Sequence, residues 1–269
     1  MAEIYKLGAA LNANDDYFVF ITPNSQVLEI GSASGYVTDF LTNNFGCQVT
    51  CIEKNPEMAE QGRGFAKKMI VADIEEDNWE KELSGEFDFI IFADVLEHLR
   101  KPSEVLKRVT PFLKKDGFIL TSIPNIGHNA VLMNLRNGKF EYQETGLLDN
   151  THIHFFTRGS VMKCFYENCF FLAGENDKKI RPCHTEFKVF YAKNPLLALS
   201  IINKVDAHTY RFVQKWSRNK SDEIVPSRSY RLPLGRRIIE LIFDFLCLIK
   251  SKFNLKTPRI ISKLVFKGQ

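Results

Sequence analysis

The chain has 269 residues, 45% hydrophobic and 25% charged, with a formal net charge of +4. That is long enough for a full core and has the make-up of an ordinary soluble globular protein, with no apolar run long enough to span a bilayer. The six cysteines, at 47, 51, 164, 169, 183 and 247, include no C-x-x-C pair and meet no clustered histidines, so neither a disulfide scaffold nor a zinc site is expected.

Residues 4–22 are expected to form a helical or irregular cap. The opening Met-Ala-Glu-Ile-Tyr-Lys-Leu has no apolar core of a signal peptide, so a cytoplasmic protein with reduced thiols is the expectation. Asn24-Ser25 lead into a first strand, 26–30, which ends in the turn Gly31-Ser32-Ala33-Ser34-Gly35. A periodic segment (Tyr36, Val37, Phe40, Leu41) starts at once and stops near Gly46, giving a strand, a tight turn and a helix. Glycines there let backbone come close to a ligand, and the helix aims unpaired N–H groups at the same place. Strand two, 48–52, ends in Glu53, 22 positions after Gly31, about where a dinucleotide-type fold places an acid for ribose hydroxyls. Asn55-Pro56-Glu57 reads as a cap, a first-turn proline and an acid opening a helix that ends near Gly62–Gly64.

Met69-Ile70-Val71-Ala72 makes strand three and delivers Asp73, and 87–93 makes strand four ahead of Asp94-Val95-Leu96-Glu97-His98-Leu99. A helix over 103–114 shows Val105, Leu106, Val109 and Leu113 on one face, and Asp116-Gly117 turns it into strand five, 118–122. Thr157 caps a helix over 158–168, and 170–173 and 187–192 supply the last two strands. Strands that are near-continuous apolar runs alternating with helices predict an α/β, Rossmann-like, doubly wound, mostly parallel seven-stranded sheet. Its ligand belongs at the carboxyl ends of the strands, where Gly31–Gly35, Glu53, Asp73 and Asp94 all fall. Taken singly these residues have plainer readings: Glu53 as a strand-end acid, Asp73 as a helix cap, His98 as a structural hydrogen-bonder, Cys51 and Cys164 as small buried residues.

Together, Val-Leu-Glu-Ile-Gly-Ser-Ala-Ser-Gly (27–35), Cys-Ile-Glu (51–53), Ala-Asp-Ile (72–74) and Asp-Val-Leu-Glu-His-Leu (94–99) resemble a class I S-adenosylmethionine-dependent methyltransferase of the Leu-Glu-His branch. The resemblance spans roughly 25–192. It implies that the loop with Glu29, Gly31, Ser32, Ala33 and Gly35 faces the methionine part of S-adenosyl-L-methionine. Glu53 would hold both ribose hydroxyls, Asp73 and Ile74 would meet the adenine, and Asp94, Val95 and Leu96 would close over the cofactor. Ala33 stands where many members have glycine. A dehydrogenase is similar in its first two strands only.

The segment 124–156 follows strand five and is expected to form an acceptor insertion within a catalytic domain 1–193. Asn125, His128, Tyr142, Asp149, His152 and His154 can recognise hydroxyls, and Phe155 or Phe156 can stack on a ring. Asp149-Asn-Thr-His-Ile-His-Phe-Phe-Thr is similar to a stretch in methyltransferases of glycan and cell-surface biosynthesis, which implies O-methylation of a sugar-containing or lipid-linked glycan acceptor. A sugar hydroxyl must lose its proton, a task suited to His152 or His154 with Asp149 orienting it; the alternative is that these histidines fix the loop. No metal is expected. A quinone-like or metabolite acceptor, or a non-catalytic cofactor-binding scaffold, are the other readings.

Residues 194–269 are expected to be a basic helical extension. A helix over 195–216 and a polar linker, 217–233, precede a largely apolar helix at 238–249, flanked by Arg236, Arg237, Lys250, Lys252 and Lys256. From 211 onward the chain holds 14 Lys and Arg against 4 Asp and Glu. This helix could rest on an anionic membrane surface, or dock on its own domain or a second subunit, which its acids Glu240 and Asp244 favour. Nucleic acid is not the expected partner, because aromatic interleaving is thin.

Overall fold

Strand β1 (Gln26–Ile30) has four of its five residues buried, in a computed structural model that describes residues 16–202, 206–226 and 234–253. The chain divides into two compact units, one made of Met1–Ile126, Tyr142–Lys179 and Thr209–Ser227, the other of Gly127–Glu141, Ile180–His208 and Arg228–Gln269.

The first unit holds the sheet. Its strands are β1, β2 (Gln48–Glu53), β3 (Lys68–Val71), β4 (Phe87–Ala93), β5 (Leu113–Pro124), β6 (Phe171–Glu175), the two-residue β7 (Lys178–Lys179) and β8 (Thr209–Ser217), in the order β3-β2-β1-β4-β5-β8-β6 with β7 beside β8. Pairings from β3 to β5 are parallel, and β8 lies antiparallel between β5 and β6. Alternate side chains feed two cores, as the doubly wound expectation requires. Leu28, Ile30 and Ile52 meet Val105, Leu106 and Val109 of α3 (Pro102–Val109) and Val161 and Phe165 of α5 (Arg158–Glu167). Val27, Val49 and Cys51 meet Val37 and Leu41 of α1 (Tyr36–Phe45). Helix α2 (Pro56–Gly62) starts as read: the Asn55 side chain accepts the Glu57 and Met58 N–H groups, with Pro56 in the first turn. Gly46 closes α1 in the left-handed conformation, and Thr157 forms a capping box with Ser160 on α5.

Three assignments change. Strand β5 begins at Leu113 and runs through Asp116-Gly117 without turning. A Cβ on Gly117 would lie 3.0 Å from the Phe87 and Asp88 carbonyl oxygens, so this glycine answers the close approach of β4 rather than a bend. Residues 187–192 are not a strand: Tyr191–Lys193 make a 3₁₀ turn, and the Tyr191 ring joins the core of the second unit. Their place in the sheet is taken by 209–217, within the span expected to be helical up to 216. Thr209, Tyr210, Phe212, Val213 and Trp216 are β-branched or aromatic, and Phe212, Val213 and Trp216 are fully buried, which suits a strand covered on both faces. The Phe212–Trp216 spacing fits one helix face as well as one strand face, hence the misreading. A sheet strand thus lies beyond the expected domain boundary at 193. Of the cap at 4–22, Asp16–Phe20 is a 3₁₀ helix, and 4–15 lie outside the described residues.

In the second unit, α4 (Asn129–Arg136), α6 (Pro195–Ile201) and α7 (Leu234–Phe253) share a core of Met133, Tyr191, Ala198, Ile201 and Ile202, with Leu241 packed against it. No helix among the described residues is long and apolar enough to cross a membrane.

Candidate functional site

The carboxyl ends of β1, β2, β4 and β5 come together at one edge of the sheet. After β1, Gly31, Ala33 and Gly35 all have positive φ, at 70°, 47° and 81°. Within this left-handed turn the Gly31 N–H is bonded to the Ile52 carbonyl and the Gly35 N–H to the Ser32 carbonyl. Glu53 at the end of β2 fastens the loop: its Oε2 accepts the Ala33 N–H at 2.9 Å and its Oε1 the Asn55 N–H at 2.8 Å. Each oxygen keeps a further lone pair, which fits an acid that also takes hydroxyl protons. Gly35 serves packing more than ligand approach, since a Cβ there would stand 2.7 Å from Gly62 Cα of α2.

Glu29 lies beneath this loop rather than in it. It is 2% exposed, and its Oε2 accepts the Thr38 hydroxyl at 2.7 Å. Burial pushes its carboxyl from the ordinary 4.5 up to about 7, with the Glu53 charge adding to the shift. A folded-state value above the unfolded one means the stabilisation from this group is present in full below about pH 4.5 and is lost as pH rises through about 7. Wild-type stability should therefore fall relative to Glu29→Gln by up to about 3 kcal/mol between those limits. Urea unfolding at pH 5 and pH 8 checks this; equal pH slopes in the two proteins would remove the buried-acid account.

Asp73 is doubly engaged. Its Oδ1 caps the Glu75 N–H at 2.9 Å, and its Oδ2 pairs with Lys54 at 2.7 Å. Ile74 is buried, and its carbonyl accepts the Trp79 indole and an Arg108 N–H, which holds its backbone in place. At the end of β4, Asp94 sits at φ 52°, a strained value for a residue other than glycine. Ser122 Oγ donates to it at 3.0 Å and Arg211 Nη1 at 2.9 Å. Arg211 escaped the sequence reading because β8 was read as helix. Val95 packs against Gly31, and Leu96 is buried in the core.

The two motifs read separately, 94–99 and 149–157, interlock. The Ile153 and His154 N–H groups both donate to the Glu97 carbonyl at 2.9 Å. This sets the His98 and His152 rings 4.8 Å apart, edge to face, and puts His152 Nε2 4.0 Å from Glu97 Oε1. The Glu97 side chain is 1% exposed, and neither of its oxygens has a hydrogen-bond partner among the described residues. Burial, with Asp94 adding, holds this carboxyl well above the usual carboxylate range. Burial and the neighbouring His98 lower His152, which keeps its imidazole neutral. Ligand atoms of Glu97, His98 and His152 all lie within 4.8 Å of one another, so a divalent cation could also sit there.

Asp149 holds His152 through the main chain, its carbonyl accepting the His152 N–H at 3.1 Å. Its Oδ1 accepts both the Thr151 N–H and the Thr151 hydroxyl, and Glu97 is the acid that stands opposite His152. His154 turns its Nε2 to the Arg100 carbonyl at 3.3 Å. Two residues expected to read hydroxyls are structural instead. Asn125 donates to the Thr209 carbonyl. His128 caps α4 through Nδ1, bonds the Ile180 carbonyl through Nε2, and is pushed by burial down to about 4. Tyr142 is exposed, its ring 6.4 Å from Phe155.

Comparison with known families matches residues 6–168 to the methyltransferase domain. The chain belongs to this family, and its fold is that of class I, S-adenosylmethionine-dependent methyltransferases. Among curated proteins it is 26% identical over 107 residues to ubiquinone biosynthesis O-methyltransferases of Xanthomonas campestris pv. campestris, covering 38% of this chain and 44% of theirs. The chain thus spans under half the length of these relatives. Among solved structures, a TehB-like S-adenosylmethionine-dependent methyltransferase from Corynebacterium glutamicum is similar at 13% identity and TM-score 0.50, covering 81% of this chain and 98% of that one. A methyltransferase from Methanosarcina mazei matches at 16% identity and TM-score 0.50, covering 74% and 94%. At those identities the likeness is one of fold.

Proposed function

We propose that this chain transfers a methyl group to the oxygen of a hydroxylated aromatic acceptor of the kind a quinol presents, with His152 as base and Glu97 as its partner. The observation behind this reading is the buried Glu97 carboxyl, unbonded among the described residues, facing a neutral His152 across 4.0 Å. An oxygen about 2.8 Å from both atoms completes a triangle over that gap, at ordinary hydrogen-bonding distance. S-adenosylmethionine, held by Glu53, Asp73 and the 31–35 loop, supplies an electrophilic methyl. As the oxygen–methyl bond forms, the acceptor O–H bond breaks and its proton passes to His152, which later returns it to solvent; the bound cofactor would supply the methyl and depart as its neutral thioether. The Glu97 carboxyl, 4.0 Å away, faces the imidazolium so formed.

The aromatic acceptor rather than a sugar is favoured by two points. Asp149 and Thr151 spend hydrogen bonds on each other, leaving fewer groups for a sugar ring, and the curated relatives are named for O-methylation in ubiquinone biosynthesis. The test offers dihydroxylated aromatic rings and lipid-linked sugars side by side with labelled S-adenosylmethionine, with and without chelator. Label on the aromatic ring is expected. Label on sugar alone restores the glycan reading, and cofactor binding without product on any acceptor favours a scaffold.

Helix α7 bears on where the acceptor is met. Ile238, Ile239, Ile242, Phe245 and Leu246 are all exposed. Asp244, counted in the sequence as a poor residue for a lipid surface, is buried and accepts the Ala192 N–H. With the excess of basic residues in this part of the chain, we propose that this face contacts an anionic bilayer. Wild type should float with anionic but not neutral liposomes, and Ile242→Asp/Phe245→Asp should stay behind. Absence of flotation at moderate salt, or dimerisation through this face instead, would remove the proposal.

A further inference from the structure

The cysteines that looked scattered in the sequence are not scattered in the second unit. Cys183 and His184 lie on a single 3₁₀ turn, Pro182–His184, and Cys247 lies on α7. Two Sγ atoms and one imidazole nitrogen fall within 4.8 Å of one another. Asp244, one turn before Cys247, is 3% exposed and accepts the Ala192 N–H. Sulfur and nitrogen donors facing one another at this spacing make a soft set, and soft sets select zinc over magnesium or calcium.

We propose that Cys183, His184 and Cys247 supply three ligands of a structural zinc site. The edges of a tetrahedron built on usual zinc–sulfur and zinc–nitrogen bonds are roughly 3.4–3.8 Å, so the observed cluster closes by side-chain movement of about 1 Å or less. Binding forms two zinc–sulfur bonds and releases two thiol protons to solvent, with no oxidant involved. Two thiolates balance the charge of one zinc ion, and the Arg181 guanidinium, two residues before Cys183, lies 4.1 Å from the Phe243 ring.

The unit has a physical use for such a staple. Among the described residues its buried cluster holds five side chains, and a metal tie adds most where a core is small. This one joins the 182–184 turn to α7, which are more than fifty residues apart in the chain.

The experiment is cobalt titration of the full-length, reduced, metal-stripped protein, followed by zinc analysis of protein purified from zinc-supplemented growth. Wild type should show sulfur-to-cobalt charge transfer with intense tetrahedral d–d bands, and about one zinc per chain. Cys183→Ser/Cys247→Ser should lose both signals, His184→Ala should weaken zinc by about tenfold or more, and Cys164→Ser should change neither. A cation held instead by Glu97, His98 and His152 gives no sulfur charge transfer, so the two sites are told apart. If the double variant does not fold, the wild-type spectrum decides. A cobalt spectrum without thiolate bands, or a Cys183–Cys247 disulfide in freshly isolated protein with no zinc present, would overturn the site.

Discussion

Replacing Glu97 by Gln or His152 by Ala is expected to lower kcat by about 10²–10⁴-fold, the usual contribution of a positioned base, while cofactor affinity stays unchanged. The reason lies in how the pair is held. Burial lowers His152, which favours the neutral imidazole that can accept a proton, and burial raises Glu97. If the two groups serve the same proton transfer, their single variants should cost nearly as much as the double. Because burial and His98 lower His152, the acid limb of the kcat profile should fall below the ordinary histidine value of 6.5. His154→Ala should have a smaller effect, since its Nε2 is turned to the Arg100 carbonyl. Undiminished turnover in both Glu97→Gln and His152→Ala would remove the dyad from the reaction.

The other large effect belongs to Glu53. Hydrogen bonds to a charged group contribute about 1.5–3 kcal/mol each, so losing two ribose contacts in Glu53→Ala should weaken S-adenosylmethionine by roughly 10²-fold or more. Part of that loss is indirect, because Glu53 also fastens the Ala33 and Asn55 N–H groups. Glu53→Gln keeps one acceptor for that latch and should fall between wild type and Ala. Calorimetry with S-adenosylmethionine and its demethylated product measures both. Unchanged affinity in Glu53→Ala would take the acid out of the cofactor site.

Much of the sheet unit was legible because its signals are local. The run 26–30, the turn 31–35, the Asn55-Pro56 cap and the Thr157 cap each rest on residues within one or two turns of one another, where backbone sterics and capping decide the outcome. The same locality explains why Glu53, Asp73 and Asp94 could be assigned to one edge: parallel βα units place strand ends there whatever the packing. Where an element depended on a distant partner, the local pattern failed. Phe212 and Trp216 fit a helix face and a strand face alike, and only the gap between β5 and β6 selects the strand. Tyr191 looked like strand sequence but is taken up by the core of the other unit.

The same division runs through the candidate sites. Sequence alone offered His152 and His154 as candidate bases and read Leu96-Glu97-His98 only as a mark of family likeness. It did not indicate that the Glu97 carbonyl would receive the 153–154 backbone and so bring acid and imidazole together. Asp149 looked like the partner because it is near in sequence, yet a carboxylate two residues before Thr151 closes a local turn in preference to reaching a ring. Arg211, Cys183 and Cys247 gained meaning only when β8 and α7 were set against their neighbours. Strand ends, turns and caps are written in short stretches of chain. Which side chains meet across fifty or more residues is settled by the packing that buries them.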